Sequence, residues 1–185
     1  MMMTKEFTNK RIKKLRDAFD IMTFGIDSGK WSNSSASLYS ESNEYDGQSF
    51  ERVFYDNIAN IKSGWVSKKY LITDNKVKYC TDDHARKPQF GGKFLMDNPS
   101  EWHGNFDKFL EWAMFFSMTI GVTKKENNKL RAETKYTLLE ETYATLRIEL
   151  FQGGGVGYDA TPYDPFKDLP ELFKDYQKKF LKKVI

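Results

Sequence analysis

The sequence has few cysteines, few histidines and no long apolar run. Cys80 is the one cysteine among 185 residues, which excludes an intramolecular disulfide and any zinc site built on several thiolates. A chain of this kind belongs most simply in a reducing compartment. No apolar run approaches the roughly 20 residues that span a bilayer, and residues 1–6 lack the apolar segment of a signal peptide. We therefore expect a cytoplasmic protein without zinc and without a membrane partner.

The composition is that of a globular protein with an aromatic core. Hydrophobic residues make up 39% and charged residues 30% of the chain, and the aromatic share of 16% is high for this size. We expect Phe, Tyr and Trp to fill the core of one well-packed domain. That domain is predicted over residues 1–157, followed by a linker and an amphipathic basic helix over 158–185. The net charge of +3 is compatible with nucleic-acid binding without arguing for it.

Hydrophobic periodicity predicts an α+β fold that is mostly helical. Apolar residues recur at helical spacing in five segments, which are 8–24, 48–62, 102–119, 134–151 and 170–185. Two runs rich in β-formers, 65–73 and 76–81, are separated by Asp74 and Asn75, which predicts a hairpin. Residues 91–96 are expected to form a short return strand and 25–47 a loop. Gly64 is expected to end the second helix.

Basic residues cover the side of the first predicted helix that lies opposite its apolar face. They are Lys10, Arg11, Lys13, Lys14 and Arg16. Such charge runs usually mark a solvated face. The alternative is a face that contacts phosphates, in which case each neutralised phosphate steepens the salt dependence of binding. The C-terminal helix leaves a similar choice between docking on the core, touching nucleic acid and meeting a partner protein.

The segment from Thr123 to Glu126 predicts the start of a helix. The Thr123 hydroxyl is placed to bond the backbone N–H three residues on, while Glu126 reaches back, as in a capping box. Asn127 and Asn128 then lie in the first turns. Asparagine is a poor residue inside a helix, so this pair indicates either a loose surface helix or a role as a ligand.

Acidic residues precede His84 at the end of the predicted hairpin. Asp82 and Asp83 would favour the charged form of His84. Carboxylate oxygens hold Mg²⁺, and an imidazole takes a proton from water near neutral pH. The pattern therefore suits metal-assisted hydrolysis, although a lone histidine is more often structural.

The segment Asp83-His84-Ala85-Arg86-Lys87-Pro88-Gln89-Phe90-Gly91-Gly92 resembles the Asp-His…Pro…Gly-Gly signature of the HNH, or ββα-metal, endonucleases. In the same way, Thr123-Lys124-Lys125-Glu126-Asn127-Asn128-Lys129-Leu130 is similar to the helix start of phage-type members, in which Asn often replaces the last His. The resemblance covers about a third of the chain, with a motif core over 65–132. It implies a ββα-metal hairpin and helix at the centre of the fold. It also implies a protein of the cytoplasm of a bacterial or phage-infected host cell.

The resemblance implies roles for several residues. His84 would be the general base, Asp83 a metal ligand and Asn127 the second ligand, with Asn128 the alternative if the helix register shifts by one. The ion would be Mg²⁺, with Mn²⁺ as a substitute, and the substrate DNA. Arg86 and Lys87 are candidate phosphate contacts.

Two departures from the family pattern stand out. The middle Asn is missing before the helix, and Asn105 fills that role only if the apolar helix is an insertion. The zinc-binding cysteines of some members are absent as well.

Two classes of function follow from these patterns. The first is a Mg²⁺-dependent endonuclease of phage, restriction or homing type. The second is a non-catalytic protein that binds nucleic acid or another protein, in which the Asp-Asp-His turn has no chemical role. A hydrolase for a small phosphorylated substrate is a third possibility, and the oligomeric state is open.

Overall fold

The computed structural model describes residues 9–29, 50–133, 139–153 and 170–180. The helices are α1 Asn9–Asp27, α2 Phe50–Asn57, α3 Lys68–Ile72, α4 Lys76–Tyr79, α5 Pro88–Asp97, α6 Phe106–Ser117, α7 Lys124–Glu133, α8 Leu139–Thr145 and α9 Glu171–Phe180, with a 3-10 turn at Pro99–Glu101. The strands are β1 Ile61–Ser67, β2 Cys80–His84, β3 Met118–Thr123 and β4 Leu150–Gln152. The predicted α+β class is confirmed.

The chain divides into two compact units. Unit 1 comprises residues 1–59 and 86–117, and unit 2 comprises residues 60–85 and 118–185. The predicted boundary after residue 157 stays a prediction, because residues 154–169 lie outside the described part of the chain. Across the described ranges, no helix combines the length and the apolar character needed to cross a bilayer.

Unit 1 packs helices α1, α2, α5 and α6 around aromatic rings. Phe19 of α1 meets Trp102, Phe106 and Phe109 edge to face, at centroid distances of 5.7, 5.5 and 5.4 Å. The indole N–H of Trp102 donates to the Leu95 carbonyl at 2.6 Å, so the buried ring keeps its polar group satisfied. The predicted core of aromatic residues is confirmed in this unit.

Unit 2 contains a four-stranded sheet in the order β2-β3-β1-β4. The central strand β3 runs parallel to β1 and antiparallel to β2, and β4 runs antiparallel to β1. One face carries a buried cluster that includes Ile120, Val122, Leu130 of α7 and Tyr143 of α8. The other face carries a second buried cluster, which includes Tyr70 of α3. Helices therefore cover the sheet on both sides.

Side-chain alternation assigns each residue of β2 to one of these two faces. Asp83 pairs with Ile120, so it lies on the face that α7 and α8 cover. Cys80 packs with Val66 and Tyr70 on the opposite face. His84 is an even number of residues from Cys80, so its side chain lies on that second face as well. Asp83 and His84 therefore point to opposite sides of the sheet.

The predicted hairpin over 65–73 and 76–81 is wrong. Strand β1 ends at Ser67, whose Oγ accepts a hydrogen bond from the Tyr70 N–H and caps α3. The side chain of Asn75 accepts from the Lys78 N–H and caps α4. These two caps stabilise short helices in a segment whose composition favours strands. Because β3 lies between β1 and β2, a ββα-metal core built on that hairpin is not confirmed.

The predicted return strand over 91–96 is also wrong, since this segment belongs to helix α5. Pro88 occupies the first turn of α5, where a missing N–H costs nothing. A Cβ on Gly91 would lie 2.6 Å from the Cγ of Phe116, so the glycine lets α5 approach that ring closely. Gly91 therefore serves helix packing in unit 1.

The other helix predictions hold in part. Helices α1 and α9 confirm the segments predicted from residues 8 and 170, within the described ranges. Helix α6 confirms the middle of the segment predicted over 102–119, since residues 102–105 precede the helix and residues 118–119 belong to β3. Helix α2 ends at Asn57, and Gly64 lies instead within β1 with a φ of 82°. The segment predicted as a helix over 134–151 contains α8 and the start of β4, with residues 134–138 outside the described ranges. The predicted loop over 25–47 is wrong at residues 25–27, which belong to α1. Residues 30–47 and the predicted linker over 158–168 lie outside the described ranges.

Candidate functional site

The capping box at the start of α7 is confirmed. The Thr123 hydroxyl accepts from the Glu126 N–H at 3.2 Å, and the Glu126 carboxylate accepts from the Thr123 N–H at 3.0 Å. The same carboxylate oxygen accepts from the Ser67 hydroxyl at 2.7 Å. Glu126 is 4% exposed, so this buried charge is held by three donors (the third is the Thr123 hydroxyl). Glu126 is therefore a structural residue that the sequence pattern correctly placed.

Asp83 lies in the core of unit 2. Its side chain is 4% exposed, and one carboxylate oxygen accepts a hydrogen bond from the Tyr143 hydroxyl at 2.7 Å. A buried carboxylate needs such donors, because removing it from water without partners is costly. Tyr143 comes from α8, 60 residues further along the chain, so no local sequence pattern links it to Asp83.

The structure does not bring His84 to the same face as Asp83. His84 pairs with Thr119 at the end of β2 and is half-buried on the side of Tyr70. Asn127 and Asn128 belong to α7, which lies on the Asp83 side, and Asn128 is the more exposed of the two. The residues therefore do not fit a site in which Asp83 binds Mg²⁺ while His84 acts as general base beside the same ion. Binding by Asp83 and Asn127 alone stays a prediction.

The predicted phosphate contacts and the predicted middle Asn lie in unit 1. Arg86 is 2% exposed, donates to the Phe115 carbonyl at 3.0 Å and stacks 3.7 Å from the centroid of that ring. Lys87 is the residue before helix α5 and is half-buried. The Asn105 side chain accepts from the Lys108 N–H at 3.1 Å and so caps α6. The burial of Arg86 and the cap of Asn105 both indicate structural roles.

Four lysines lie on α4 and on the first turn of α7. The lysine cluster consists of Lys76, Lys78, Lys124 and Lys125. The Lys124 ammonium donates to the Lys78 carbonyl at 2.6 Å, which joins the two helices. Lys76 is half-buried and donates to the carbonyls of Leu71 and Thr73, at 3.3 and 3.0 Å, and the other three lysines are exposed. The sequence carries no signal for this cluster, because the composition of residues 76–81 predicts a strand and not the helix α4.

Two ionisable side chains beneath the lysine cluster have shifted pKa values. Burial raises the pKa of the Cys80 thiol, against the opposing effects of the Thr73 side chain, Lys76 and Lys124. Burial also raises the pKa of Tyr70, and the nearby Cys80 and Asp82 add to that rise. Both groups are therefore neutral at physiological pH. Cys80 is 8% exposed and protonated, which makes it a poor nucleophile.

Comparison with protein-family models, with curated proteins and with solved structures found no match.

Proposed function

We propose that this protein binds nucleic acid without cutting it, and that the lysine cluster of unit 2 contacts the phosphates. The observation that carries the proposal is the hydrogen bond from the Lys124 ammonium to the Lys78 carbonyl, which joins the lysine-bearing start of α7 to α4 across 46 residues of sequence. A compact group of ammonium ions attracts a polyanion and releases the counterions that the polyanion had condensed. DNA is the partner that we predict.

Three acidic side chains are close to these lysines in sequence or in space, namely Asp74, Asp82 and Glu126. Asp82 is half-buried on β2, near the Tyr70 ring that Lys76 approaches. Asp74 is exposed in the turn before α4. The carboxylate of Glu126 lies beside Lys125 in sequence, but it is buried and bonded to Ser67 and Thr123. Lys76 and Lys124 each use donors on backbone carbonyls, yet an ammonium has three N–H groups. Donors therefore remain for phosphate oxygens, and Lys78 and Lys125 are exposed to water.

The experiment that tests the proposal measures binding to labelled DNA oligonucleotides by fluorescence anisotropy across a salt series. Lys78→Gln and Lys125→Gln remove charge from side chains that hold no other element in place. Each should lower the affinity and reduce the slope of log K against log salt by roughly 0.7 on single strands or 0.9 on duplex. Lys108→Gln, an exposed lysine of α6 in unit 1, is the matched control and should leave both unchanged.

The wild-type protein should bind at low ionic strength and release the oligonucleotide as salt rises. Absence of binding to any DNA or RNA at low salt overturns the proposal. An equal loss in Lys108→Gln would show that binding follows total charge, and would overturn the assignment to this cluster.

A second candidate is a Mg²⁺-dependent endonuclease of the HNH kind. It is favoured by the order of elements in unit 2, where the antiparallel strands β2 and β3 are followed directly by α7. The confirmed capping box sets Asn127 within α7, on the side of the sheet that holds Asp83. The position of His84 on the opposite face of the sheet from Asp83 favours the non-catalytic candidate instead.

Plasmid cleavage distinguishes these two candidates. The protein is incubated with supercoiled DNA and Mg²⁺ or Mn²⁺, beside His84→Ala and Asp83→Asn variants whose folding is checked by circular dichroism. The non-catalytic proposal expects no nicking by any of the three proteins. Nicking by the wild type that both substitutions abolish would replace it with the endonuclease.

A further inference from the structure

Three apolar side chains stand exposed beside the lysine cluster. Ile72 is 73% exposed at the end of α3, Val77 is 95% exposed in α4, and Tyr79 is 50% exposed at the end of α4. We call these three residues the apolar tip. Single exposed apolar residues are common on protein surfaces, but Val77 and Tyr79 flank the exposed Lys78 of the lysine cluster in α4.

The segment that carries the apolar tip is held in place by local hydrogen bonds. Asn75 caps α4 by accepting from the Lys78 N–H at 3.0 Å, and the Tyr79 N–H donates to the Asn75 carbonyl at 3.1 Å. The Lys76 ammonium bonds carbonyls at the end of α3, which closes the turn between the two helices. Because the tip is already ordered, little conformational entropy is lost when a partner covers it.

We propose that the apolar tip selects single-stranded nucleic acid, with a base stacked on the ring of Tyr79. The inference rests on the proposed binding of nucleic acid by the lysine cluster. Phosphates satisfy the lysines in a duplex and in a single strand alike, but phosphates do not cover Val77, Ile72 or an aromatic ring. Only an unpaired strand offers free base faces to these side chains.

Charge and ring lie close enough for one strand to reach both. The Lys78 ammonium sits 5.0 Å from the centroid of the Tyr79 ring, and Lys124 bonds the carbonyl of the same Lys78. A backbone that runs across Lys78 and Lys124 therefore has a base beside Tyr79. Stacking of this kind tolerates any base. We therefore expect the protein to prefer single strands over duplexes without preferring a base sequence.

The test compares a labelled oligonucleotide as a single strand, as DNA and as RNA, with the same sequence as a duplex. The wild type should bind the single strands more tightly than the duplex at equal salt. Tyr79→Ala should lower single-strand affinity by roughly 5- to 150-fold, the range of one lost stacking contact. Duplex affinity and the salt slope should stay unchanged, and Tyr79→Phe should restore single-strand binding.

Phe24→Ala is the matched control, because Phe24 is a 54% exposed ring on α1 of unit 1. It should leave single-strand affinity unchanged. Equal or tighter binding of the duplex, or no effect of Tyr79→Ala, overturns the selection of single strands while the lysine proposal stands. Absence of binding to every oligonucleotide removes both. Binding to vesicles of phosphatidylserine that depends on Val77 and Ile72, without oligonucleotide binding, would make the tip a membrane contact and overturn the inference.

Discussion

The Ser67 hydroxyl and the Glu126 carboxylate meet at 2.7 Å in the interior of unit 2. Ser67 caps α3 through the Tyr70 N–H, and Glu126 completes the capping box of α7 with Thr123. One hydrogen bond therefore links the first turns of two helices that lie 59 residues apart in sequence. The start of α7 is adjacent to the lysine cluster, so this bond also supports the proposed binding surface.

We predict that Glu126→Gln lowers the free energy of unfolding by about 2 kcal/mol. The buried carboxylate accepts from the Ser67 hydroxyl and from the hydroxyl and N–H of Thr123. A hydrogen bond to a charged group contributes roughly 1.5–3 kcal/mol to stability. Urea unfolding followed by circular dichroism measures the change. Glu141→Gln, at an exposed position of α8, is the control and should be neutral. A double variant with Ser67→Ala should lose less than the sum of the two single losses, and strict additivity would contradict the direct bond.

Tyr143→Phe should destabilise unit 2 by roughly 1–3 kcal/mol, because the Asp83 carboxylate loses a donor in a buried site. The phenyl ring keeps the packing against the cluster of Ile120 and Val122, so the loss reports the hydrogen bond. Thermal and urea unfolding give the measurement, and oligonucleotide affinity should not change. An unchanged stability would mean that this hydrogen bond contributes nothing to the stability of unit 2.

The stability of the protein should decline as the pH rises above about 9. Burial raises the pKa of Cys80 above 9.0 and the pKa of Tyr70 above 10.0. In the unfolded chain both groups lose their protons at their ordinary pKa values. At a pH between the unfolded and the folded pKa of a group, the unfolded state therefore binds fewer protons than the folded state. Stability contributed by the neutral groups is thus complete below pH 9 and is lost above it.

Urea unfolding at several pH values between 7 and 11 checks this dependence. The Tyr70→Phe and Cys80→Ala variants should each show a shallower decline than the wild type, since each removes one of the two groups. A decline of the same steepness in all the variants would assign the alkaline loss to other groups.

Gly91→Ala should destabilise unit 1 by roughly 1–3 kcal/mol, the usual cost of overpacking. The added Cβ would lie 2.6 Å from the Cγ of Phe116, which is closer than real contacts allow. Combining it with Phe116→Leu should recover part of the loss, and unfolding experiments on the single and double variants measure this. Full stability of Gly91→Ala would show that α5 moves away from the ring without cost.

Local patterns in the sequence identified those features that depend on neighbours in the chain. The periodicity of Ile12, Leu15, Phe19 and Met22 correctly predicted α1, because a helix presents every third or fourth residue to one side. The capping box was predicted for the same reason, since Thr123 and Glu126 are three residues apart. The aromatic composition indicated the core of unit 1.

The strands and the site depended on partners that are distant in the chain. Residues 65–73 and 91–96 have compositions that suit a strand, but Ser67 and Pro88 begin helices there once tertiary packing supports them. Strand β3 lies between β1 and β2, and five of its six residues are buried there. Local propensity is too weak to decide such cases against packing.

By itself, then, the sequence determined the α+β class, the amphipathic helices and the capped start of α7, because each depends on residues within a few positions of one another. Tertiary structure alone decided which face of β2 holds Asp83 and which holds His84, since the pairing with β3 sets the register of the strand. It also decided that Lys78 meets Lys124. Contacts between distant segments carry no local signature, and the proposed function rests on those contacts.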